Sequence, residues 1–591
     1  MPIALRRILF PRFVRRPVKR FKRGPFGRLI GHFLARVVAP SGAASEDYES
    51  SGFALGAGGL LGLLTTPGAL GCFLLLDKYS SLLNWMRGRL HQDYLVTSMP
   101  DKFVFLSLAM AVTGIVTVLK WDRLLPDSQD YLNLAPLPVP PRRILFANVL
   151  AILLAVLIVA LDVNAIPSLL FPAFVTAASH DAGGLLPFAW AHMVSVLLAS
   201  LFTIATIFAI LGTLAAVLPR DLFRACSWWV RTVLLLGLIT LLPTGFAGTA
   251  LMRTLERNPD SYVGLLPPVW FLGFYQTLQH RASPVLVEAG RKVPVALAIA
   301  FTMMALSYFI SYRRRFGAVL EGDKAPSEQR VLAVVLAMFD VFSSRSVNFV
   351  RACHRFVIRA LLRSESHRLA IAVAAGLGFL FAIQDVASAP AGLWLPSEEW
   401  LRAPLAVSYL LVLGMRLAFE MPAGVSSSWI FRATLDPRGN ETLPVARLVM
   451  ASFLPPVVLF PTFVFAAWTS GIVTASVETA YVAAVSMVLV EVQLMGYRKL
   501  PLTYPTPGFR DNLIMLCCFQ FLGYEMFTHT GAAIERWMFR YPAGFLLVPA
   551  GIAAAWWGNR RRIADAREAG EWKEGMTFDN APVLAVQRLD L

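Results

Sequence analysis

Charged side chains within long apolar stretches are the residues of this sequence best suited to chemistry in an apolar environment. Asp162, Glu478 and Glu491 each fall near one end of such a stretch, where contact with a polar boundary is the simplest interpretation. Arg416 and Glu420 stand four residues apart, a spacing typical of an ion pair along one helix. A role in a transport path is the alternative for this pair. No carboxylate is predicted at the middle of a stretch, which argues against a proton- or ion-driven carrier.

Motifs for catalysis and metal binding are absent from the sequence. It has no GxxxxGK[ST] loop for a nucleotide phosphate, no HExxH or paired CxxC for a metal, and no GxSxG turn for a nucleophilic serine. The 8 histidines are scattered, and the 5 cysteines show no ligand spacing. We therefore expect no cofactor in this chain and no ATP hydrolysis by a phosphate-binding loop of its own.

The composition predicts that the bilayer is the solvent for most of the chain. Of the 591 residues, 57% are hydrophobic and 15% are charged, whereas an ordinary soluble chain is about 25% charged. One soluble core cannot bury this excess, because single cores stop growing near about 250–300 residues. A soluble enzyme, a coiled coil and a disordered scaffold are therefore excluded.

Twelve stretches are long and apolar enough to cross a bilayer, which takes about 20 residues. They form two sets of six on either side of a polar segment, so the predicted fold class is an all-α polytopic membrane protein with about twelve transmembrane helices. The two six-helix halves would form a pseudo-dimer. Two proline-containing stretches, 166–177 and 262–275, are predicted to be re-entrant or interfacial. The predicted spans are 53–76, 103–120, 144–163, 188–218, 228–250, 293–312, 369–388, 402–421, 446–469, 476–496, 512–531 and 543–558.

Basic residues predict the orientation of the chain. The first 40 residues contain eleven Lys or Arg and no Asp or Glu, so the arm 1–52 is predicted to be cytoplasmic and to bind anionic lipid head groups. Nucleic-acid binding is a minor alternative for this arm, and an organellar transit peptide shares its composition. Both termini are then cytoplasmic, including the tail 559–591. The loop 77–102 conflicts with this scheme, because it carries four basic residues on the predicted outer side.

The segment 313–368 is predicted to connect a first membrane half, 53–312, with a second, 369–558. It contains eleven Lys or Arg and five Asp or Glu. Within it, 348–363 has apolar residues at helical spacing and arginines four apart, which predicts an amphipathic basic helix. Such a helix is suited either to the inner membrane surface or to docking with a partner protein.

A loop after the second predicted span combines acidic residues with prolines. It reads WDRLLPDSQDYLNLAPLPVPPRRILFANVLA from Trp121 to Ala151. This stretch resembles the corresponding loop of the permease subunits of type-2 ABC exporters, which has an Asp, a Leu-Pro pair and a basic residue that opens a helix. Further stretches resemble a large group of bacterial two-halved permeases; they are LPPVWFLGFY at 266–275, RSESHR at 363–368 and MPAGVSSSWIFR at 421–432.

The resemblance implies a permease that pairs with a separate P-loop ATPase, in two copies, which carries the ATP and Mg. It also implies that the inner loops 121–143 and 422–445 form the coupling surface. The prolines stiffen the first loop, so that a push from the ATPase would move the attached helices; a solvated connector is the alternative interpretation. The residues predicted to couple are Trp121, Asp122, Pro126, Asp127, Asp130, Pro138, Arg142, Arg143, Trp429 and Arg432.

The sequence therefore predicts the permease subunit of an ATP-driven exporter in the bacterial inner membrane, without covalent chemistry of its own. A non-transporting membrane scaffold of a larger complex is the alternative. A lipid-linked glycosyltransferase or lipid-handling enzyme comes third, with thin support from Glu256, Asp260 and Glu288 in the predicted outer loop 251–292.

Overall fold

The computed structural model is all-helical throughout the part of the chain that it describes. Its helices belong to two compact units, Met1–Lys324 and Ala325–Leu591. Nine of the described helices are long and apolar enough to cross a membrane, so the chain is a multi-pass integral membrane protein. The described residues are 25–38, 50–80, 97–121, 140–179, 184–246, 248–258, 261–319, 330–343, 348–388, 397–421, 442–495, 497, 501–502, 513–541 and isolated positions between 543 and 561.

The first unit contains nine described α-helices and one 3₁₀ turn. They are α1 (Pro25–Val38), α2 (Ser50–Tyr79), α3 (Met99–Leu119), α4 (Pro141–Ala178), α5 (Leu185–Val217), α6 (Arg220–Phe246), α7 (Gly248–Arg257), the 3₁₀ turn Tyr262–Leu265, α8 (Pro267–Leu278) and α9 (Pro284–Val319).

Helix α3 lies at the centre of the first unit, where it packs on α5 and α6. Small residues allow the close approaches in this unit. A Cβ on Gly273 of α8 would lie 2.2 Å from the backbone oxygen of Leu286 and 2.7 Å from the nitrogen of Gly290, both in α9. Because backbone atoms cannot move aside as a flexible side chain can, this contact requires glycine.

The second unit contains eight described α-helices and one π-helical turn. They are α10 (Arg330–Ser343), α11 (Asn348–Arg363), α12 (Glu365–Ser388), α13 (Glu398–Glu420), α14 (Thr442–Leu454), the π turn Pro455–Leu459, α15 (Phe460–Ser470), α16 (Ile472–Gln493) and α17 (Leu513–Arg540). Helix α13 is central here and packs on α12, α16 and α17.

Nine of the twelve predicted spans coincide with the described membrane-length helices, from Met99–Leu119 to Ile472–Gln493. The first predicted span lies in α2, whose described apolar part is Leu64–Leu76. The eleventh lies in α17, and most of the twelfth falls outside the described residues. The boundary between the two units falls inside the predicted connector, after Lys324.

The prediction of a re-entrant piece at 166–177 is wrong. Helix α4 continues through Pro167 and Pro172 without a break. A proline removes the hydrogen bond to the carbonyl four residues earlier, here Val163. Gly68 of α2 lies against this point, where its Cβ would be 2.6 Å from the Pro167 ring and 3.2 Å from the Val163 oxygen. Helix α2 therefore covers the weakened turn, as neighbouring helices do in membrane proteins.

The stretch 262–275 forms the 3₁₀ turn and most of α8, which has 12 residues. At 1.5 Å per residue α8 is about 18 Å long, shorter than the hydrocarbon core of about 30 Å. Its Val269, Phe271, Leu272 and Tyr275 are buried in the first unit. This short helix is consistent with the predicted non-crossing segment.

The basic helix predicted at 348–363 corresponds to α11, whose bounds are Asn348–Arg363. Its apolar face packs on α10 and α14, and Val357, Ile358 and Leu361 lie in the core of the second unit. This face is therefore covered by the unit itself and is not left for the bilayer. Helix α1, inside the predicted arm 1–52, is packed in the same way, with Phe33 against the start of α4.

Candidate functional site

The predicted coupling residue Trp121 is buried and holds the end of α3 in place. Its side chain is 2% exposed, and its Nε1 donates a hydrogen bond to Oγ of Ser227 in α6 at 3.0 Å. Trp121 is thus an anchor at the base of the loop and not a contact surface within the unit.

The far end of this loop is described from Pro140. Pro140 is extended, Pro141 occupies the first turn of α4, and the Arg143 amide donates to the Pro140 oxygen at 2.8 Å. Arg142 lies in the same turn, and the Arg143 side chain is exposed. The other predicted coupling residues lie outside the described residues; they are Asp122, Pro126, Asp127, Asp130, Pro138, Trp429 and Arg432.

Two of the charges predicted within apolar stretches are neutralised by local partners. Arg416 and Glu420 form the predicted ion pair along α13, and the Arg416 guanidinium lies 4.8 Å from the centre of the Tyr497 ring. Glu491 of α16 accepts a hydrogen bond from Nη2 of Arg447 in α14 at 2.9 Å. Both arrangements stabilise a partly buried carboxylate by pairing it with a guanidinium.

The interpretation of Glu478 as a residue at a polar boundary is wrong. Its side chain in α16 is 2% exposed and faces the interior of the second unit. It interacts electrostatically with Glu535 of α17, which is fully buried. Among the described residues, Oε2 of Glu478 and both carboxyl oxygens of Glu535 have no hydrogen-bond partner. We call Glu478 and Glu535 the carboxyl pair.

A buried lysine occupies the corresponding interior of the first unit. Nζ of Lys102 in α3 has no exposure and donates to Oε1 of Gln279 at 2.6 Å. It also lies 5.0 Å from the Phe188 ring centre and 5.2 Å from that of Tyr275. Nδ1 of His192 lies 3.1 Å from the Tyr275 hydroxyl. We call Lys102, Phe188, His192, Tyr275 and Gln279 the lysine cluster.

This cluster places a cation against aromatic ring faces, whose negative quadrupole offsets the loss of water around the ammonium. The Tyr275 ring also packs edge-on against Phe188 and His192, with centroids 6.1 and 5.5 Å apart. The lysine is therefore held on three sides by α3, α5 and α8, the elements that carry its partners.

An ion pair closes one end of each unit. In the first, Nζ of Lys78 at the end of α2 lies 2.5 Å from Oδ2 of Asp101 in α3, and the Tyr79 hydroxyl donates to the same oxygen. In the second, Nη2 of Arg402 in α13 lies 2.6 Å from Oδ1 of Asp385 in α12.

A cleft of about 450 Å³ lies beside the Lys78–Asp101 pair. Met99, Val104 and Met252 line its apolar part, and Arg253 and Glu256 of α7 line its charged part. The support that Glu256 was expected to give an enzyme therefore comes down to one exposed carboxylate in a cleft of mixed charge.

One buried histidine lies outside the membrane-length helices. His354 of α11 has no exposure, and neither ring nitrogen has a hydrogen-bond partner among the described residues. Burial lowers the pKa of His354 from 6.5 to about 4, while Asp340 acts in the opposite direction and Arg355 in the same one. In the described part of the chain, no group of three His, Cys, Asp or Glu residues could hold a metal ion.

Comparison with known proteins gives no relative for this chain: no family model, no curated protein and no solved structure matches it. Sequence reasoning found the Arg416–Glu420 pair and the position of Trp121, but it missed Lys102, His192 and Glu535. The start of α3 at Met99, four residues before the predicted start at 103, puts Lys102 inside a helix where a loop was expected.

Proposed function

We propose that the chain is the permease subunit of an ATP-driven exporter of the type-2 ABC class, coupled to a separate P-loop ATPase that supplies ATP and Mg. In this proposal the membrane part has two six-helix halves. The chain would lie in a bacterial inner membrane with both termini cytoplasmic. The arm 1–52 would contact anionic lipid.

The observation that carries this proposal is a shared order of helix packing in the two units. In the first unit the central helix α3 packs on α5 and α6, and α4 packs on α5. In the second unit the central helix α13 packs on α16 and α17, and α15 packs on α16. A repeated helix order of this kind supports a chain built from two related halves, as parallel repeats are in other transporters.

The anchoring of the loop 122–139 supports a coupling role. Trp121 is bonded to α6 through Ser227, and the prolines at 140 and 141 lead directly into α4. A force on the loop would thus act on α3, α6 and α4 together, because Trp121 and Pro141 leave little slack at either end. Asp122, Asp127 and Asp130 would pair with basic residues of the ATPase.

The test is purification of the tagged full-length chain from its native membranes, followed by identification of bound proteins and assay of vanadate-sensitive ATP hydrolysis. We expect a P-loop ATPase in the complex. Replacing Asp122, Asp127 and Asp130 together by Asn is expected to lower ATPase recovery about tenfold or more, since three charge-assisted contacts of about 1.5 kcal/mol or more are lost.

The matched control is Glu399→Gln, an exposed acidic residue of α13 on the predicted outer side. This variant should retain the ATPase at the wild-type level. Recovery of the wild-type chain in a stable complex without any ATPase would reject the exporter and support the scaffold. Unchanged ATPase binding by the triple variant would reject this loop as the coupling site.

A further inference from the structure

The carboxyl pair lies where α16 and α17 are packed together. The Tyr481 hydroxyl of α16 donates to the backbone oxygen of Gly531 in α17 at 2.8 Å, and Ala532 has no exposure. A Cβ on Gly531 would lie 2.8 Å from Leu405 of α13. Glu478 and Glu535 are thus one to two helical turns from a close three-helix contact, in an interior without access to solvent.

The charged groups around the pair do not neutralise it. Glu535 interacts electrostatically with Glu478 and with Tyr481, both of α16, and neither supplies a positive charge. Arg536, the next residue of α17, pairs with Glu398 at 3.0 Å. Arg402 of α13 pairs with Asp385 at 2.6 Å. The described guanidinium groups of these helices are therefore engaged by other carboxylates.

Two ionised carboxylates cannot share such a site. Removing one carboxylate from water costs several kcal/mol even after relaxation, and a second negative charge nearby adds repulsion that water does not screen. Oε2 of Glu478 and both oxygens of Glu535 lack a donor that would offset this cost. A proton is the smallest ligand that removes a charge and also supplies a donor.

We propose that Glu478 and Glu535 form a proton-binding site of the second unit, which holds a proton taken up from solvent. The reaction is the addition of H⁺ to one carboxylate oxygen, so the site changes charge by one and no other bond breaks. The protonated carboxyl then donates to its neighbour. This site does not depend on an ATPase partner, and its inference stands apart from the exporter proposal.

The site links proton binding to the packing of α16 on α17. With the proton bound, the pair carries at most one negative charge and the two helices stay in contact through Tyr481 and Gly531. Loss of the proton leaves two like charges in the interior, which favours separation of the helices and entry of water. Proton uptake would therefore favour the closed packing of this unit.

The test uses the full-length protein in detergent and dicyclohexylcarbodiimide, a probe that reacts with protonated carboxyl groups in apolar surroundings. The acid proton passes to a carbodiimide nitrogen while the carboxyl oxygen bonds to its carbon, so nothing leaves. At about pH 7.5 we expect mass spectrometry to find the label on Glu478 or Glu535, about tenfold above the label on Glu491, because one pKa unit changes protonation tenfold.

Glu491 is the matched control, because it lies on the same helix and its charge is held by Arg447. Glu478→Gln and Glu535→Gln are each expected to label at the remaining carboxyl, and the double variant at neither. Absence of label on both residues of the folded wild-type protein would overturn the proposal. Loss of label on adding sodium ions at constant pH would also overturn it, since a metal cation would then occupy the site.

Discussion

The two units share an order of helix packing but bury groups of opposite charge. The first unit encloses Lys102 beside His192, which is the eighth residue of α5. The second encloses Glu478, the seventh residue of α16, beside Glu535. Helices α5 and α16 hold the same place in the packing order, each against the central helix of its unit. The same scaffold therefore accepts either sign of charge in its interior.

The difference lies in how each charge is stabilised. Lys102 receives an amide oxygen and two ring faces from its own chain. Glu535 receives no donor from the described residues. A charge with built-in partners is a structural element, whereas a buried group without partners requires a ligand. This contrast separates a fixed site in the first unit from an exchangeable one in the second.

The ion pairs at the unit ends show the same inversion. The basic residue, Lys78, ends α2 in the first unit, whereas the acidic residue, Asp385, is near the end of α12 in the second. Each pair joins the helix before the central one to the central helix itself. The pairing is thus retained while its polarity is reversed.

Lys102→Glu should give the largest effect on this comparison. An unpaired negative charge among ring faces is expected to lower the local stability of the first unit by about 3–5 kcal/mol. Hydrogen exchange of α3 and α8 in the purified protein measures this loss. Lys102→Met, which keeps most of the volume without charge, should cost less. Equal stability of Lys102→Glu and wild type would remove the distinction between the two interiors.

The ion pairs should give the next largest effects. Asp101→Asn loses contacts with Lys78 and Tyr79 and should cost about 2–3 kcal/mol, while Asp385→Asn, with the single partner Arg402, should cost about 1–2 kcal/mol. Double-mutant cycles with Lys78→Met and Arg402→Met measure each coupling.

Glu525→Gln is the matched control for these pairs. Glu525 and His529 are 44% and 54% exposed, so the substitution should change stability by less than about 0.5 kcal/mol. A larger cost for Asp385→Asn than for Asp101→Asn would show that the second donor, Tyr79, contributes nothing to its pair.

Acidification should give the smallest effect, in the second unit. The pKa of His354 is lowered to about 4 from 6.5, so between these values the unfolded segment binds a proton that the folded one does not. Stability is therefore full above about pH 6.5 and falls as the pH drops toward about 4, by about 1 kcal/mol between about pH 7 and about pH 5.5. Hydrogen exchange of α11 measures this change.

His354→Leu should abolish this dependence, whereas His529→Gln, at an exposed position, should retain it. An unchanged pH profile in the leucine variant would show that His354 does not control the acid sensitivity of α11.

Much of the fold could be predicted from local pattern. The bounds of α11 follow from its apolar spacing, and nine predicted spans coincide with helices because hydrocarbon-length apolar runs have few other stable conformations. The Arg416–Glu420 pair was predictable for the same reason, since four residues make one turn. The wrong prediction at 166–177 shows the limit, because the cover that Gly68 gives to Pro167 comes from a residue about 100 positions away.

Among the candidate site residues, those in the loop could be proposed from motif alone, while the buried ones could not. Glu478 was visible as a charge near a span end, but its 2% exposure depends on the packing of α16 against its neighbours. Lys102 and Glu535 gave no signal, because the sequence does not say which face of a helix meets another helix.

The amino-acid sequence by itself determined the solvent of this protein, because 57% hydrophobic residues in long runs are stable only in a bilayer. It also determined the helices, since each run satisfies its own backbone hydrogen bonds. Only the tertiary structure decided which charges are enclosed and with what partners. Helix position sets the depth of a residue in the membrane, but the packing of distant helices sets whether its side chain meets lipid, a counter-charge or, as at Glu535, neither.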